Sequence, residues 1–187
     1  MIKLAQQPPL DAAPASVVAY HRQLALARDA SAATFFCDRI LPLLDDLGAD
    51  FESARPHLPD AATLVTTASH AHELPALTAA VLRNLGVALH GILLIHDRPG
   101  QKYADAVQRL LPPSPHVTLL EIGEAHDVDG VFRDIGRGLP HGDRRLIFDL
   151  TPGFKPIALA MTRRARAGDA LIYMQHKFDR GVVDPRS

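Results

Sequence analysis

Short apolar runs alternate with longer amphipathic stretches along the chain after residue 60. The apolar runs lie at residues 63–67, 91–95, 117–122, 145–149 and 170–174. Helical spacing of apolar positions fills the stretches at about 73–85, 100–111, 127–138 and 154–166. Continuous apolar runs are typical of strands that are buried on both faces, as in a parallel sheet. The alternation predicts an α/β fold, a Rossmann-like doubly wound and mainly parallel sheet of five or six strands.

Residues 1–60 have a different, helical texture. One helix is expected from Ser16 to about Arg28, and a second is expected to begin at Asp29 or Ser31 and to run to about Leu47. The predicted organisation is therefore an N-terminal helical extension over residues 1–60 and a Rossmann-like ligand-binding domain over residues 61–187.

Right-handed crossovers leave few ways to order five parallel strands, and the commonest order is 3-2-1-4-5. In that order the chain reverses direction between strands 1 and 4, and ligands bind at the carboxyl ends of those two strands. The loops that meet there are predicted to be residues 66–70 and residues 150–155.

Length, charge and composition limit which partners and which cellular compartment are expected. The 187 residues suit one domain, and a formal net charge of −1 gives no global field that favours a membrane or duplex nucleic acid. Residues 140–187 hold nine Lys/Arg against five Asp/Glu, which favours a phosphorylated ligand or is simply a solvated surface. No apolar stretch predicts a membrane span or a signal peptide, so a cytoplasmic protein is expected.

A single cysteine, Cys37, excludes an intrachain disulfide. It lies in the apolar run Ala-Thr-Phe-Phe-Cys and is predicted to be a small buried residue.

The loop after the fourth strand contains residues that together can bind a phosphate. Thr151 can cap the following helix and Pro152 suits its first turn, while Gly153 allows a ligand to approach the backbone. The N–H groups at a helix start favour an anion, and Lys155 adds a full positive charge. The alternative is an ordinary capped helix with a surface lysine.

The loop after the first strand offers hydroxyl groups and histidines. Thr67 and Ser69 are candidates for a phosphate or a ribose, and Ser69 can instead cap the next helix. His70 and His72 have an H-x-H spacing, but no Cys, Asp or Glu accompanies them at a recognisable spacing, so no metal site is predicted. His96 and His176 follow later strands and can line the same crevice.

Several motifs are absent from the sequence. No Gly-x-Gly-x-x-Gly follows the first strand, no Gly-x-x-x-x-Gly-Lys-Ser/Thr occurs, and no Gly-x-Ser-x-Gly elbow is present. The usual dinucleotide site, the NTPase P-loop and the hydrolase elbow are therefore excluded, and no cofactor is predicted.

The segment Asp149-Leu-Thr-Pro-Gly-Phe-Lys155 resembles the signature of CARF domains (CRISPR-associated Rossmann fold), roughly Asn/Asp-x-Thr-Gly-Gly-Thr-Lys after an apolar strand. Asp149, Thr151, Gly153 and Lys155 match, and the resemblance covers about residues 61–187. Pro152 replaces a glycine, which removes one backbone donor, and Phe154 replaces a threonine and can stack on a base.

The resemblance implies a sensor of cyclic oligoadenylate, with a ring of four or six adenylates lying across the axis of a homodimer. Lys155 and the backbone at Thr151 and Gly153 would bind phosphate, with Thr67 and Ser69 as weaker candidates. No effector domain is evident in the sequence, which leaves a separate effector protein as an open partner.

Two other functions stay open at this level. The first is a metal-independent ring nuclease, in which Lys155 stabilises developing charge while Ser69 or His70 orients the attacking ribose hydroxyl. The second is a flavodoxin-like or other nucleotide-binding α/β protein, in which the first loop holds a phosphate by itself.

Overall fold

A single parallel sheet organises the protein. The computed structural model describes residues 7–42, 53–111, 116–124, 126–142 and 144–174. Within these residues five strands occur in the order β3-β2-β1-β4-β5, and every pairing is parallel. The strands are β1 (Ala61–Thr67), β2 (Ala88–Asp97), β3 (His116–Ile122), β4 (Leu146–Asp149) and β5 (Ala170–Ile172). The predicted α/β class and strand order are confirmed.

Six α-helices connect and precede the strands within the described residues. They are α1 (Pro14–Leu26), α2 (Ala32–Phe35), α3 (Glu73–Asn84), α4 (Gln101–Leu110), α5 (Val128–Gly138) and α6 (Lys155–Arg164). Among the described residues, no helix combines the length and the apolar character that crossing a bilayer requires.

The two faces of the sheet bury separate hydrophobic cores. Alternate residues of each strand point to opposite faces, so Leu64 joins one core and Val65 joins the other. The first core packs against α1 to α4, and the second packs against α5 and α6. Burial on both faces explains why the strands read as continuous apolar runs in the sequence.

The N-terminal helices pack into the first core. Val17 and Val18 of α1 and Phe35 of α2 belong to the same buried cluster as Leu64 of β1. A short π-helix, Phe36–Ile40, continues α2. The prediction for Cys37 was wrong, because its side chain lies on the solvent side of this segment and is exposed.

Of the two helix starts expected in this region, the first differs from the prediction, whereas the second falls at Ser31, the N-cap residue of α2. The first helix begins at Pro14 rather than near Ser16, because a proline fits the first turn of a helix. Ser31 stands at the start of α2 but caps no amide, since its own amide and hydroxyl both donate to Asp29. The predicted end of the second helix, near Leu47, lies outside the described residues.

Candidate functional site

The loops that follow β1 and β4 meet at the carboxyl edge of the sheet. The two strands are paired neighbours, with Val65 opposite Phe148. Gly153 in the second loop lies against the side chain of Thr67 at the end of β1, and a Cβ atom at Gly153 would lie 2.9 Å from Thr67 Cγ2. Gly153 has φ +112°, a backbone conformation that favours glycine. The close contact between the loops therefore depends on glycine at this position.

Asp149, the last residue of β4, ties three elements together beneath the loops. Its Oδ2 accepts hydrogen bonds from the hydroxyls of Thr66 (3.0 Å) and Thr78 (2.9 Å), which lie on β1 and α3. Its Oδ1 accepts a hydrogen bond from the amide of Thr151 at 3.0 Å. The carboxyl group is fully buried, so these donors replace its hydration.

Burial raises the pKa of Asp149 above its ordinary value, and the hydrogen bonds from Thr151, Thr78 and Thr66 oppose this shift. Loss of solvation thus outweighs the stabilisation of the charged form by donors. Because the group is sealed beneath the loops, it positions them and has no access to a ligand itself.

The hydroxyl of Thr67 is buried without a partner. The residue is 1% exposed, and Oγ1 makes no hydrogen bond to any residue that the structure describes. A buried hydroxyl without a partner costs free energy, about 1–3 kcal/mol. Since Thr67 lies under the glycine of the second loop, a group that entered between the loops would lie beside this hydroxyl.

The helix after the second loop begins close to the predicted residue 154, but too late for the parts predicted for Thr151 and Pro152. Helix α6 starts at Lys155, Phe154 is its N-cap residue, and Pro156 rather than Pro152 lies in its first turn. Thr151 caps nothing, because its amide binds Asp149 and its hydroxyl accepts a hydrogen bond from the amide of Met174 at 2.8 Å. The positive φ of Gly153 prevents a helical start further upstream.

This later start leaves donors at the surface of the site. The amides of Gly153, Phe154 and Lys155 have no acceptor among the described residues. The Lys155 side chain is exposed at the first turn of α6, where the helix dipole is positive. Free amides, a helix start and a lysine together favour an anion.

Ser69 and His70 follow β1, and Ser69 does not cap the next helix. Ser69 is half-buried, and its hydroxyl accepts a hydrogen bond from the amide of Ala71 at 3.2 Å. The N-cap residue of α3 is His72, which makes no side-chain cap. The prediction that Ser69 caps this helix was therefore wrong, because the chain makes an extra turn first. His70 is exposed beside the loop.

A cavity of about 500 Å³ adjoins the second loop on the side of β2 and β3. Phe154 of the second loop lines this cavity; its ring is 55% exposed, and the ring centroid lies 6.4 Å from that of His126. The carboxylates of Asp97, Glu121 and Glu124 line the cavity. The sequence pattern did not single out these residues, although Asp97 ends β2, two residues after the apolar run 91–95.

Four arginines of the basic C-terminal region lie away from the two loops. A groove of about 280 Å³ at the amino end of β4 is lined by Arg144, Arg145, Arg164 and Arg166. Helix α6 spans about 14 Å from Lys155 to Arg164, so these arginines lie at the opposite edge of the sheet from the two loops. Lys155 is therefore the basic residue that the described part of this region contributes to the candidate site.

The two other histidines proposed for the crevice contribute nothing to the described site. His96 is 2% exposed, and its Nδ1 lies 2.9 Å from the carbonyl oxygen of Asp97. His176 lies outside the described residues.

The fold and the site together define a Rossmann-like α/β protein with a polar site between the loops that follow β1 and β4. No protein-family model matches the chain. A search of curated proteins finds no similar sequence.

Proposed function

We propose that this protein binds a ribonucleotide ligand at the carboxyl edge of its sheet, and that the ligand is a cyclic oligoadenylate. The observation that carries the proposal is the buried, unpartnered hydroxyl of Thr67 beside the free amides that begin α6. A ligand oxygen between the two loops would accept hydrogen bonds from both, which would remove the cost of leaving the buried Thr67 hydroxyl unpaired.

A phosphate fits the part of the site that holds the Thr67 hydroxyl and the amides at the start of α6. Its oxygens would accept hydrogen bonds from the Thr67 hydroxyl and from the amides of residues 153–155. Lys155 would add a charge-assisted bond, which is stronger than a bond between neutral groups. Gly153 keeps this surface open, because a side chain there would occupy the space above Thr67.

A nucleoside fits the adjoining cavity better than further phosphates do. The cavity lining holds three acidic residues, Asp97, Glu121 and Glu124, against one arginine, Arg98, so it disfavours a second phosphate. The carboxylates can accept hydrogen bonds from ribose hydroxyls or from the amino group of adenine. Asp97 uses Oδ1 to accept the Gly100 amide, and its Oδ2 has no partner among the described residues. The exposed ring of Phe154 offers a face on which a base can stack.

The resemblance of residues 149–155 to the CARF signature supports a cyclic oligoadenylate over a single nucleotide. Phe154 and Lys155 are both exposed, so the loop faces outward, where a second copy of the chain can present the same loop. A two-fold symmetric ring then meets equal contacts on both copies.

Isothermal titration calorimetry with cyclic tetra-adenylate and cyclic hexa-adenylate tests the proposal. ATP and linear tri-adenylate serve as reference ligands, and chromatography of the mixture shows whether the ring stays intact. Lys155→Ala should weaken binding about 10- to 100-fold, the effect of losing one charged hydrogen bond. Lys102→Ala is the matched control, since Lys102 is an exposed helical lysine on α4.

Each result has a distinct meaning. Binding of one intact ring with one ring per two chains supports a sensor that acts as a dimer. Conversion to linear products that Lys155→Ala abolishes makes the protein a ring nuclease at the same site. Failure to bind either ring, or equal losses in the Lys102 and Lys155 variants, contradicts the proposal. A flavin bound to the purified protein would point to the flavodoxin-like alternative.

A further inference from the structure

Three buried titratable side chains meet where the N-terminal helices contact the start of α3. His21 lies on α1, and His72 and Glu73 lie at the beginning of α3, about fifty residues further along the chain. All three are 0% exposed. One ring nitrogen of each histidine and one oxygen of the carboxylate lie within 4.8 Å of one another.

The two imidazoles have unused hydrogen-bonding atoms. Both ring nitrogens of His21 and both of His72 are buried, and none has hydrogen-bond geometry within the described part of the chain, although the backbone of His70 lies close enough to His72 to raise its pKa against the effect of burial. The surroundings of His21 are aromatic, with Phe36 at 5.5 Å and His72 at 5.7 Å between ring centroids. Buried polar atoms in native proteins are rarely left unpaired, so four in one place require an explanation.

Both imidazoles are electronically suited to bind a cation. Burial lowers the pKa of His21 to about 4, and it also lowers the pKa of His72. The rings are therefore neutral at physiological pH, and each presents a lone pair on one nitrogen. A metal ion binds the neutral imidazole at that lone pair.

The carboxylate is already oriented by a cation on its outer side. Arg22 donates from Nε to both oxygens of Glu73 at 3.1 Å and from Nη2 to Oε1 at 2.5 Å. Each carboxylate oxygen has two lone pairs, so these bonds leave acceptor capacity on the side that faces the histidines. Hydrogen bonds from outside are the usual support of a carboxylate that binds a metal.

We propose that His21, His72 and Glu73 form a buried binding site for a divalent transition-metal ion, with zinc as the ion that the donor set favours. Two imidazoles and one carboxylate are a ligand set that zinc accepts at about 2.0–2.2 Å, whereas magnesium and calcium prefer oxygen ligands alone. Tetrahedral coordination would bring the donor atoms to about 3.3 Å from one another, so the three side chains close inward on binding.

The proposed metal site would join two parts of the protein that are far apart along the chain. A bound ion would link α1 to His72. This histidine is the N-cap residue of α3 and the last residue of the loop that begins after Thr67. The metal would thus fasten the helical extension to the rim of the candidate ligand site. This inference does not depend on the proposed ligand.

The first experiment titrates zinc ions alone into the full chain after chelation and dialysis, in competition with a chromogenic chelator. One zinc ion per chain and a rise in melting temperature are expected. His21→Gln and His72→Gln should each weaken zinc binding about 100-fold or more, because even the loss of a supporting residue costs 10- to 100-fold. His70→Gln is the matched control, since His70 is an exposed neighbour that shares the H-x-H spacing with His72.

Cobalt substitution adds a geometric readout. Tetrahedral Co²⁺ with nitrogen ligands has intense visible absorption bands, which should appear in the wild type and in His70→Gln and vanish in the two other variants. Unchanged zinc affinity in His21→Gln and His72→Gln, or a loss caused by His70→Gln, would overturn the proposal.

A measurement on the unmodified chain covers the case in which a buried glutamine prevents folding. Nuclear magnetic resonance of protein labelled with ¹⁵N-histidine should show the ring signals of His21 and His72 moving on addition of one equivalent of zinc, while the His70 signals stay in place. Movement of the His70 signals alone, or of none of the three, would contradict the site.

Discussion

Gly153 lies directly over the side chain of Thr67, so that a Cβ atom on the glycine would be 2.9 Å from Cγ2 and 3.0 Å from Oγ1 of the threonine. This contact joins the loop after β4 to the end of β1. It also places the one fully buried, unpartnered threonine hydroxyl of the described residues beneath the loop that carries Lys155.

Gly153→Ala should therefore lower the free energy of unfolding and weaken ligand binding. A left-handed φ costs a non-glycine residue about 1–2 kcal/mol, and the clash with Thr67 adds to this cost. Urea denaturation checks the stability. Gly142→Ala is the matched control, because Gly142 has φ +100° and no atom within 4 Å of an added Cβ. Equal losses in the two variants would show that the contact with Thr67 contributes nothing.

Thr67→Val should stabilise the unliganded protein and weaken phosphate binding. Valine has the same shape but lacks the unpaired hydroxyl, whose burial costs about 1 kcal/mol or more. The neighbouring Thr66→Val should do the opposite to stability, because the Thr66 hydroxyl donates to Asp149. Thermal denaturation and calorimetry measure both effects, and a Thr67→Val variant with unchanged affinity would remove this hydroxyl from the site.

Phe154→Ala should weaken adenylate binding with almost no effect on stability. The ring is 55% exposed, so its removal leaves no cavity in the core. Stacking of a base on an aromatic ring is worth about 1–3 kcal/mol, which corresponds to a loss of about 5- to 150-fold in affinity. Phe154→Tyr should retain binding, and Leu159→Ala, at a 49% exposed position of the same helix, is the control. Equal affinity in Phe154→Ala and the wild type would exclude stacking.

Asp149 should make stability depend on pH in a defined direction. Its pKa is raised in the folded state above the ordinary value of 3.8, chiefly by burial. The linked stabilisation is fully present below pH 3.8 and is lost as the pH rises through the folded-state value. The free energy of unfolding of the wild type, measured relative to Asp149→Asn, should therefore decrease as the pH rises from about 3.

Urea denaturation at a series of pH values measures this difference. Asparagine keeps an acceptor for the Thr151 amide but cannot ionise. The exposed Asp129→Asn, on α5, controls for the loss of one carboxylate. A stability difference that grows with pH would mean that the hydrogen bonds from Thr66, Thr78 and Thr151 outweigh the cost of burial.

The sequence alone determined the strands, their order and the two loops that lie at the carboxyl edge. Strands buried on both faces need continuous apolar residues, and the handedness of crossovers then leaves few arrangements. The first constraint is local and the second is topological, so both can be applied to the sequence without a tertiary structure. The same reasoning selected Thr67, Gly153 and Lys155, because Thr67 ends β1 and the other two lie in or just after the loop that follows β4.

Only the tertiary structure decided how these residues are used. The partners of Asp149 are separated from it by 83 and 71 residues, at Thr66 and Thr78, and no spacing in the chain encodes that contact. Helix α6 begins at Lys155 because the Thr151 amide is held by Asp149 and its hydroxyl accepts the Met174 amide. The contact between His21 and His72 likewise depends on the tertiary structure. Helix α1 packs into the core through contacts with residues far away in the chain, and a linear pattern of residues does not specify such contacts.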